Sequence, residues 1–293
     1  MTEETDQRPA TRAQLDSEQL TTALSSADPT IRREAIDDFG ALARTDLDAA
    51  IDHAEAVVDR LTDESLVVAR GAAEALVPIA RDRPEALVDH LDVVVESLAA
   101  DAIDLSLAGA KLLTPLAIER PGEFGESADR LLVILAAEDV PTPETTVPET
   151  VDGDEARQLL QSVQRETVER RQYVRRTAAN AVVAAVESDP TSVTDIATLE
   201  TLLDDTDPGV VGPALDALGA IAESDPATVS PVLDSIRDCL DHDEHIVRAR
   251  AVRTLGFLGA QEAVPALRDV AAEDDDETVR ELAAETAAFL AEE

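Results

Sequence analysis

The chain has 293 residues, with 63 Asp+Glu against 24 Lys+Arg, a formal net charge of -39 and 44% hydrophobic residues. One cysteine excludes a disulfide framework and a zinc ribbon, and no apolar stretch approaches the ~18–20 residues that span a bilayer. The acidic excess disfavours a general binder of nucleic acid or of anionic membranes, since both draw on Lys and Arg.

The first residues, MTEETDQRPATRAQLD, are acidic and polar and lack the apolar segment of a secretion signal. Residues 1–14 are expected to form a disordered acidic tail on a cytoplasmic protein. From about residue 15 the chain repeats itself. Ile31-Arg32-Arg33-Glu34-Ala35 is an aliphatic residue, an arginine, two variable positions and an alanine. The pattern returns, intact or loosened, at Val68, Leu105, Val174, Val210, Val247 and Val279, at spacings of 37, 37, 69, 36, 37 and 32. The interval of 69 is one period plus 32 residues. A second marker keeps the same beat: Pro84, Pro121, Pro190 and Pro226 are 37, 69 and 36 apart.

Proline suits the first turn of a helix. Segments such as 85–98 then place apolar residues at three- and four-residue intervals. An acidic turn follows, with Asp28, Asp207 or Asp276 as a helix N-cap. The anchored segment makes a second helix, with Gly40, Gly219 and Gly256 expected near its end. Alanines at the anchors (Ala35, Ala72, Ala178, Ala214, Ala251, Ala283) allow close helix approach. No pair buries enough apolar surface alone, so neighbours must stack. The expected fold is all-α: an α-α superhelix, or solenoid, of about seven helix pairs. Their bounds are about 15–44, 46–81, 84–118, 121–188, 190–223, 226–258 and 260–291.

The Asp-Pro turn, Val-Arg, paired alanines and Leu-Gly resemble the HEAT repeat, including the variety found in phycobilin lyases. The resemblance covers roughly residues 15–291. It implies an Asp–Arg ladder joining successive repeats, here Asp28, Asp207 and Asp276 with Arg32, Arg248 and Arg280. Arg175 also matches, with Arg171 where the turn aspartate would stand. Ala69, Ser106 and Val211 replace the arginine in three repeats. The acidic excess, with Lys111 the only lysine, resembles proteins of salt-loving archaea, where molar salt shrinks the Debye length to ~3 Å.

The fourth repeat departs from its siblings. A first helix over 126–138 is followed by a segment, 139–154, rich in Pro, Thr and acids, which reads as a mobile loop. A long helix is expected over 155–188. Its first part concentrates Arg157, Arg165, Arg170, Arg171, Arg175 and Arg176 around the only tyrosine, Tyr173. Arg165, Arg170, Arg171, Tyr173, Arg175 and Arg176 are the candidate partner-binding residues, since guanidinium groups take carboxylate or phosphate. The competing reading pairs these arginines with neighbouring acids.

Catalytic candidates are thin. His242 and His245 flank acids, but in a turn where acids are expected anyway. No histidine precedes a glutamate, as the His-Glu pairs of di-iron relatives require. Cys239 lies between Ile236 and Leu240 and reads as a buried small hydrophobe. No metal, cofactor or small-molecule substrate is expected. The functional expectation is a non-catalytic scaffold binding a protein partner on the concave face. The alternatives are a nucleic-acid-acting relative of the alkylated-base glycosylase type, which would need arginines on several second helices and aromatics for stacking, and a phycobilin-lyase-like enzyme.

Overall fold

The acidic composition is put to local use. Asp28, Asp46, Asp195, Asp207 and Asp225 each start a helix and accept a hydrogen bond from a backbone N–H of its first turn. A carboxylate there meets both the unpaired N–H groups and the positive end of the helix dipole. In a computed structural model, residues 17–125, 127–137 and 154–292 are described. The expected tail 1–14 and, but for Asp154, the expected loop 139–154 lie outside them.

The helices come in seven pairs among the described residues. The first pair is α1 (Ser17–Leu24) and α2 (Pro29–Thr45). The second has α3 (Leu47–Ile51) and α4 (Ala54–Val58) before α5 (Leu66–Asp82). The third has α6 (Leu91–Glu96) before α7 (Ile103–Glu119). The fourth has α8 (Ser127–Ala137) and the 35-residue α9 (Asp154–Ser188). The fifth has α10 (Ile196–Thr201) and α11 (Pro208–Ser224). The sixth has α12 (Pro226–Val229) and α13 (Leu233–Asp238) before α14 (His245–Phe257). The seventh is α15 (Val264–Glu273) and α16 (Glu277–Glu292).

Two expectations need correction. The segment 85–98 is not one helix: it is 3₁₀ over Pro84–Ala86 and Val88–His90, then α6, then 3₁₀ over Ser97–Ala99. Val88, Val93, Val94 and Val95 are stiff at χ1 and weaken a regular helix. Gly40 and Gly219 lie inside α2 and α11 rather than at their ends. Their use is close approach: a Cβ on Gly219 would stand 3.4 Å from Thr254 and from Phe257 of the next second helix.

The second helices pack in sequence, α2 on α5, then α7, α9, α11, α14 and α16. The first segments form a layer beside them, with α6 on α8 and α8 on α10. The anchor residues Val68, Val174, Val210, Val247 and Val279 and all six anchor alanines are buried between the layers. One apolar core runs from Leu20 to Leu290. It is aliphatic, with Phe39 and Phe124 as its aromatic members; Phe257 and Phe289 are exposed.

Candidate partner-binding surface

Which arginines are free for a partner depends on which ones hold the stack. Arg32 of α2 is buried and bridges to the turn of the next repeat, with Nε and Nη2 each 2.7 Å from Asp63. Its Nη1 donates back to the carbonyls of Ser26 and Ala27 at 2.8 and 3.1 Å. Arg248 repeats the arrangement on Asp274, at 2.7 and 2.8 Å, and on the carbonyls of His242 and Asp243. Arg280 makes the backward half, donating to the Asp274 carbonyl at 2.6 Å. Arg32, Arg248 and Arg280 each reach back to the residue six positions earlier, the start of the turn, and Arg32 and Arg248 also to the residue five earlier.

This geometry changes the expected ladder. Its acids are Asp63, Asp205 and Asp274. Asp28 and Asp276 cap helices, accepting from Thr30 N at 2.8 Å and Thr278 N at 2.9 Å. Asp207 does both: it caps α11 through Gly209 N at 2.8 Å and takes the guanidinium of Arg176 at 2.8–3.1 Å. That passage exists because residue 209 is glycine; a Cβ there would meet Arg176 Nε at 2.5 Å.

Three members of the arginine cluster have carboxylate partners. Arg175 is buried, donates from Nη1 to Asp205 at 3.0 Å and from Nη2 to its second oxygen, and reaches the Leu135 carbonyl at 3.3 Å. Leu135 lies in the last turn of α8 and stands in for the turn carbonyl, because α9 runs straight through the place of the turn. Arg175 and Arg176 therefore join repeats four and five; burial takes Arg175 out of a partner's reach, while Arg176 stays half exposed beside its bond to Asp207. Arg170 bridges Asp104 at 2.9 Å and Glu166 at 2.5 Å. Arg165 is exposed and Arg171 half-buried, and among the described residues neither has a carboxylate within ion-pair distance.

Tyr173 points elsewhere. It is 44% exposed and lines a groove of about 730 Å³ between α7 and α9. Thr114, Ala117 and Ile118 form one wall, and Thr177, Asn180 and Ala184 continue the other. Ile118, 69% exposed, stands with Tyr173 along it. Glu187 is shared with a second hollow of about 410 Å³, where α9, α11 and α14 present Asp216, Ala220, Glu223, Arg253 and Phe257. Asp216 pairs with Arg250 at 3.2 Å; burial raises its pKa, partly offset by Arg250 and Arg253. The two hollows make a track across four second helices. It is small-residue and apolar towards α7 and acidic towards α14.

Sequence reasoning missed this track. The available signal was Phe257 and Phe289, each ten residues after its anchor, where sibling repeats carry Ala41, Pro78, Pro115, Ala184 and Ala220. Aromatics left exposed at a repeated position mark a surface rather than a core.

The remaining candidates have structural surroundings. Cys239 is buried, contacts the Ser235 carbonyl at 3.4 Å, and its pKa is raised to about 11 by burial and by Asp204 and Asp238. A thiol so placed is a poor nucleophile at neutral pH. His242 Nδ1 accepts from Glu244 N at 2.9 Å and so shapes the turn. Among the described residues no group of three His, Cys, Asp or Glu is placed to hold a metal ion. No described helix is long and apolar enough to cross a membrane.

Comparison with known proteins agrees on architecture. A family model described as HEAT repeats matches residues 227–288, the last two pairs. No curated protein matches the chain. Among solved structures, an archaeal HEAT-like repeats protein from Thermococcus onnurineus NA1 superposes with a TM-score of 0.55 at 12% identity, covering 95% of this chain and 98% of that one. An engineered protein superposes with a TM-score of 0.51 at 23% identity, covering 83% of this chain and 98% of its own. At such identities the likeness shows the fold alone, a HEAT-like helical solenoid.

Proposed function

We propose that this protein is a non-catalytic scaffold that holds a segment of a protein partner in the track across its second helices. The observation that carries this is the groove between α7 and α9, where the only tyrosine and a 69%-exposed isoleucine stand together in a chain with 2% aromatic residues. An elongated groove with apolar walls and a few polar side chains, Thr114, Thr177 and Asn180 here, suits an extended or helical peptide. Affinity then comes from one or two buried apolar anchors, with the rim setting specificity.

The nucleic-acid reading has less support. Arg170, Arg175 and Arg176 are already bonded to carboxylates, and α11 carries no basic residue. The working environment belongs to the same proposal: a cytoplasm of molar salt is the setting in which a -39 chain stays compact.

The test is peptide selection. A displayed random-peptide library is panned on the immobilised full chain in 2 M potassium chloride, and selected sequences are titrated against wild type and against Ile118→Glu with Tyr173→Glu. The expected result is micromolar peptides that lose at least about tenfold, ~1.4 kcal/mol, on the double substitution. Selected peptides indifferent to both substitutions, or clear binding of labelled duplex DNA in moderate salt, would overturn it.

A further inference from the structure

The first half of α9 belongs neither to the ladder nor to the groove. Residues 154–171 precede the anchored half of the helix and run for about five turns, ~27 Å. Arg170 fixes the base of this stretch to Asp104 of α7 at 2.9 Å. Beyond that bridge Leu159, Leu160 and Val163 are 66%, 38% and 52% exposed. Spaced one, three and four apart, they form one apolar stripe.

We infer that the occupant of this stripe is a second copy of the chain, the two α9 helices meeting across a two-fold axis. Charge decides between occupants. The whole chain carries -39, so two copies approaching through most of their surface repel each other. Residues 154–171 hold four acids, Asp154, Glu155, Glu166 and Glu169, and four bases, Arg157, Arg165, Arg170 and Arg171. This stretch is neutral and has exposed apolar side chains, so like copies can meet here. Its charges are also ordered: Asp154 and Glu155 open it, Arg170 and Arg171 close it. With the two-fold axis perpendicular to α9 the helices run antiparallel, which sets the acidic end of one beside the basic end of the other. Nucleic acid or an anionic membrane would call for a basic excess, which a neutral stretch lacks.

A seam of this length covers roughly 300 Å² per copy, below the ~800 Å² per partner of a standard stable interface. The association is therefore weak and concentration-dependent, with a dissociation constant of tens of micromolar or more.

Sedimentation of the full chain from about 5 to 500 µM, a range that brackets such a constant, tests this in 2 M potassium chloride. Wild type should shift from monomer to dimer. Leu159→Glu with Val163→Glu should weaken dimerisation at least about tenfold while helicity and melting stay unchanged, because both side chains are exposed and Glu favours helix. Leu66→Glu, at a 55%-exposed leucine on α5, should leave dimerisation as it was. Val163→Cys adds a readout of geometry: residue 163 lies on the stripe and Cys239 is buried, so an oxidised dimer forms through residue 163 of both copies. A monomer at every concentration, a dimer that the double glutamate variant retains, or a dimer in which residue 163 does not cross-link to itself would each overturn the inference.

Discussion

Repeats four and five are tied by Arg175 on Asp205 and Arg176 on Asp207. Repeats five and six, one step along, have Val211 in the place of the arginine and His242 in the place of the acid. Their contact is nonetheless dry: α11 buries Val210, Val211, Ala214, Leu215, Leu218 and Ile221, and Thr254 Oγ1 donates to the Leu215 carbonyl at 3.0 Å. Repeats two and three are alike, with Ala69 and Ala100 at the two ladder positions. Where a turn separates the two repeats' second helices in this way, arginine and acid are thus present together or absent together; between repeats three and four α9 replaces the turn, and Ser106 stands at the arginine position. Apolar packing, with no more than the partly exposed pair Arg250–Asp216 beside it, holds repeats five and six; the buried ladder pair is an added unit whose halves do not occur singly. Physical cost explains the pairing, since a lone buried charge is far worse than a pair or than neither.

The largest effect should come from splitting that unit. Asp205→Asn leaves the buried Arg175 guanidinium with the Leu135 carbonyl and no carboxylate, and should cost about 3–5 kcal/mol at this interface. Replacing both partners, Arg175→Met with Asp205→Leu, should recover most of that loss and end within about 1 kcal/mol of wild type. His242→Asn at the untied interface should stay within about 0.5 kcal/mol. Hydrogen exchange along α9 and α11 against urea reads each locally, which suits a stack whose stability is a sum of neighbour terms. A double variant as damaged as Asp205→Asn would mean that the ladder, not packing, holds repeats four and five.

Salt should act on tied and untied interfaces alike. The acids are spread along the whole chain, and at 0.1 M salt the Debye length of ~10 Å lets neighbouring repeats repel. In 2 M potassium chloride that repulsion is screened, while the buried ladder pairs are hardly touched. Melting should fall by roughly 5 °C or more on dilution to 0.1 M, equivalent to about 2 kcal/mol at ~2–4 °C per kcal/mol. Equal melting curves would remove the high-salt reading. A loss confined to the tied interfaces would show that the ladder, rather than net charge, is what salt protects.

The solenoid was legible because two independent markers, the anchors and the prolines, keep one period, and packing in a stack is a nearest-neighbour matter. The ladder was half legible. Its arginines stand at the anchors, but the turns read Asp205-Thr206-Asp207 and Asp274-Asp275-Asp276, and composition does not tell the cap from the ladder acid. Position before the next anchor does: Asp63, Asp205 and Asp274 each stand five residues ahead of Val68, Val210 and Val279, and of the three vacant rungs those at Ala69 and Val211 lack both partners. The same reasoning removes Arg175 from the partner-binding set, since an arginine just after the anchor valine or isoleucine faces the next turn. The groove was not legible. It depends on how far α7 and α9 separate above their contact, a matter of side-chain packing that no one-dimensional pattern carries.

Acid should separate the two kinds of interface, by the smallest margin. Asp274 is held below the ordinary carboxylate value of 3.8 by its bonds from Arg248, against some opposition from burial, with the Asp276 N–H adding to the effect. Asp63 is likewise lowered: burial pushes it up, but Arg32 and the Ser65 N–H outweigh it. A carboxyl whose folded pKa lies below its unfolded one contributes stability that is complete above the unfolded value and is lost as pH falls through the folded one. Asp216, at the untied contact of repeats five and six, has the opposite sign: its pKa is raised by burial, so protonation on acidification relieves rather than harms the fold. Between pH 5 and pH 3, exchange protection at the start of α5 and of α16 should therefore fall relative to that of α11. In Arg32→Met with Asp63→Leu, the fall at α5 should vanish while that at α16 persists. Net charge cannot mimic this outcome, because protonating the many surface acids lowers repulsion everywhere and raises all three helices together.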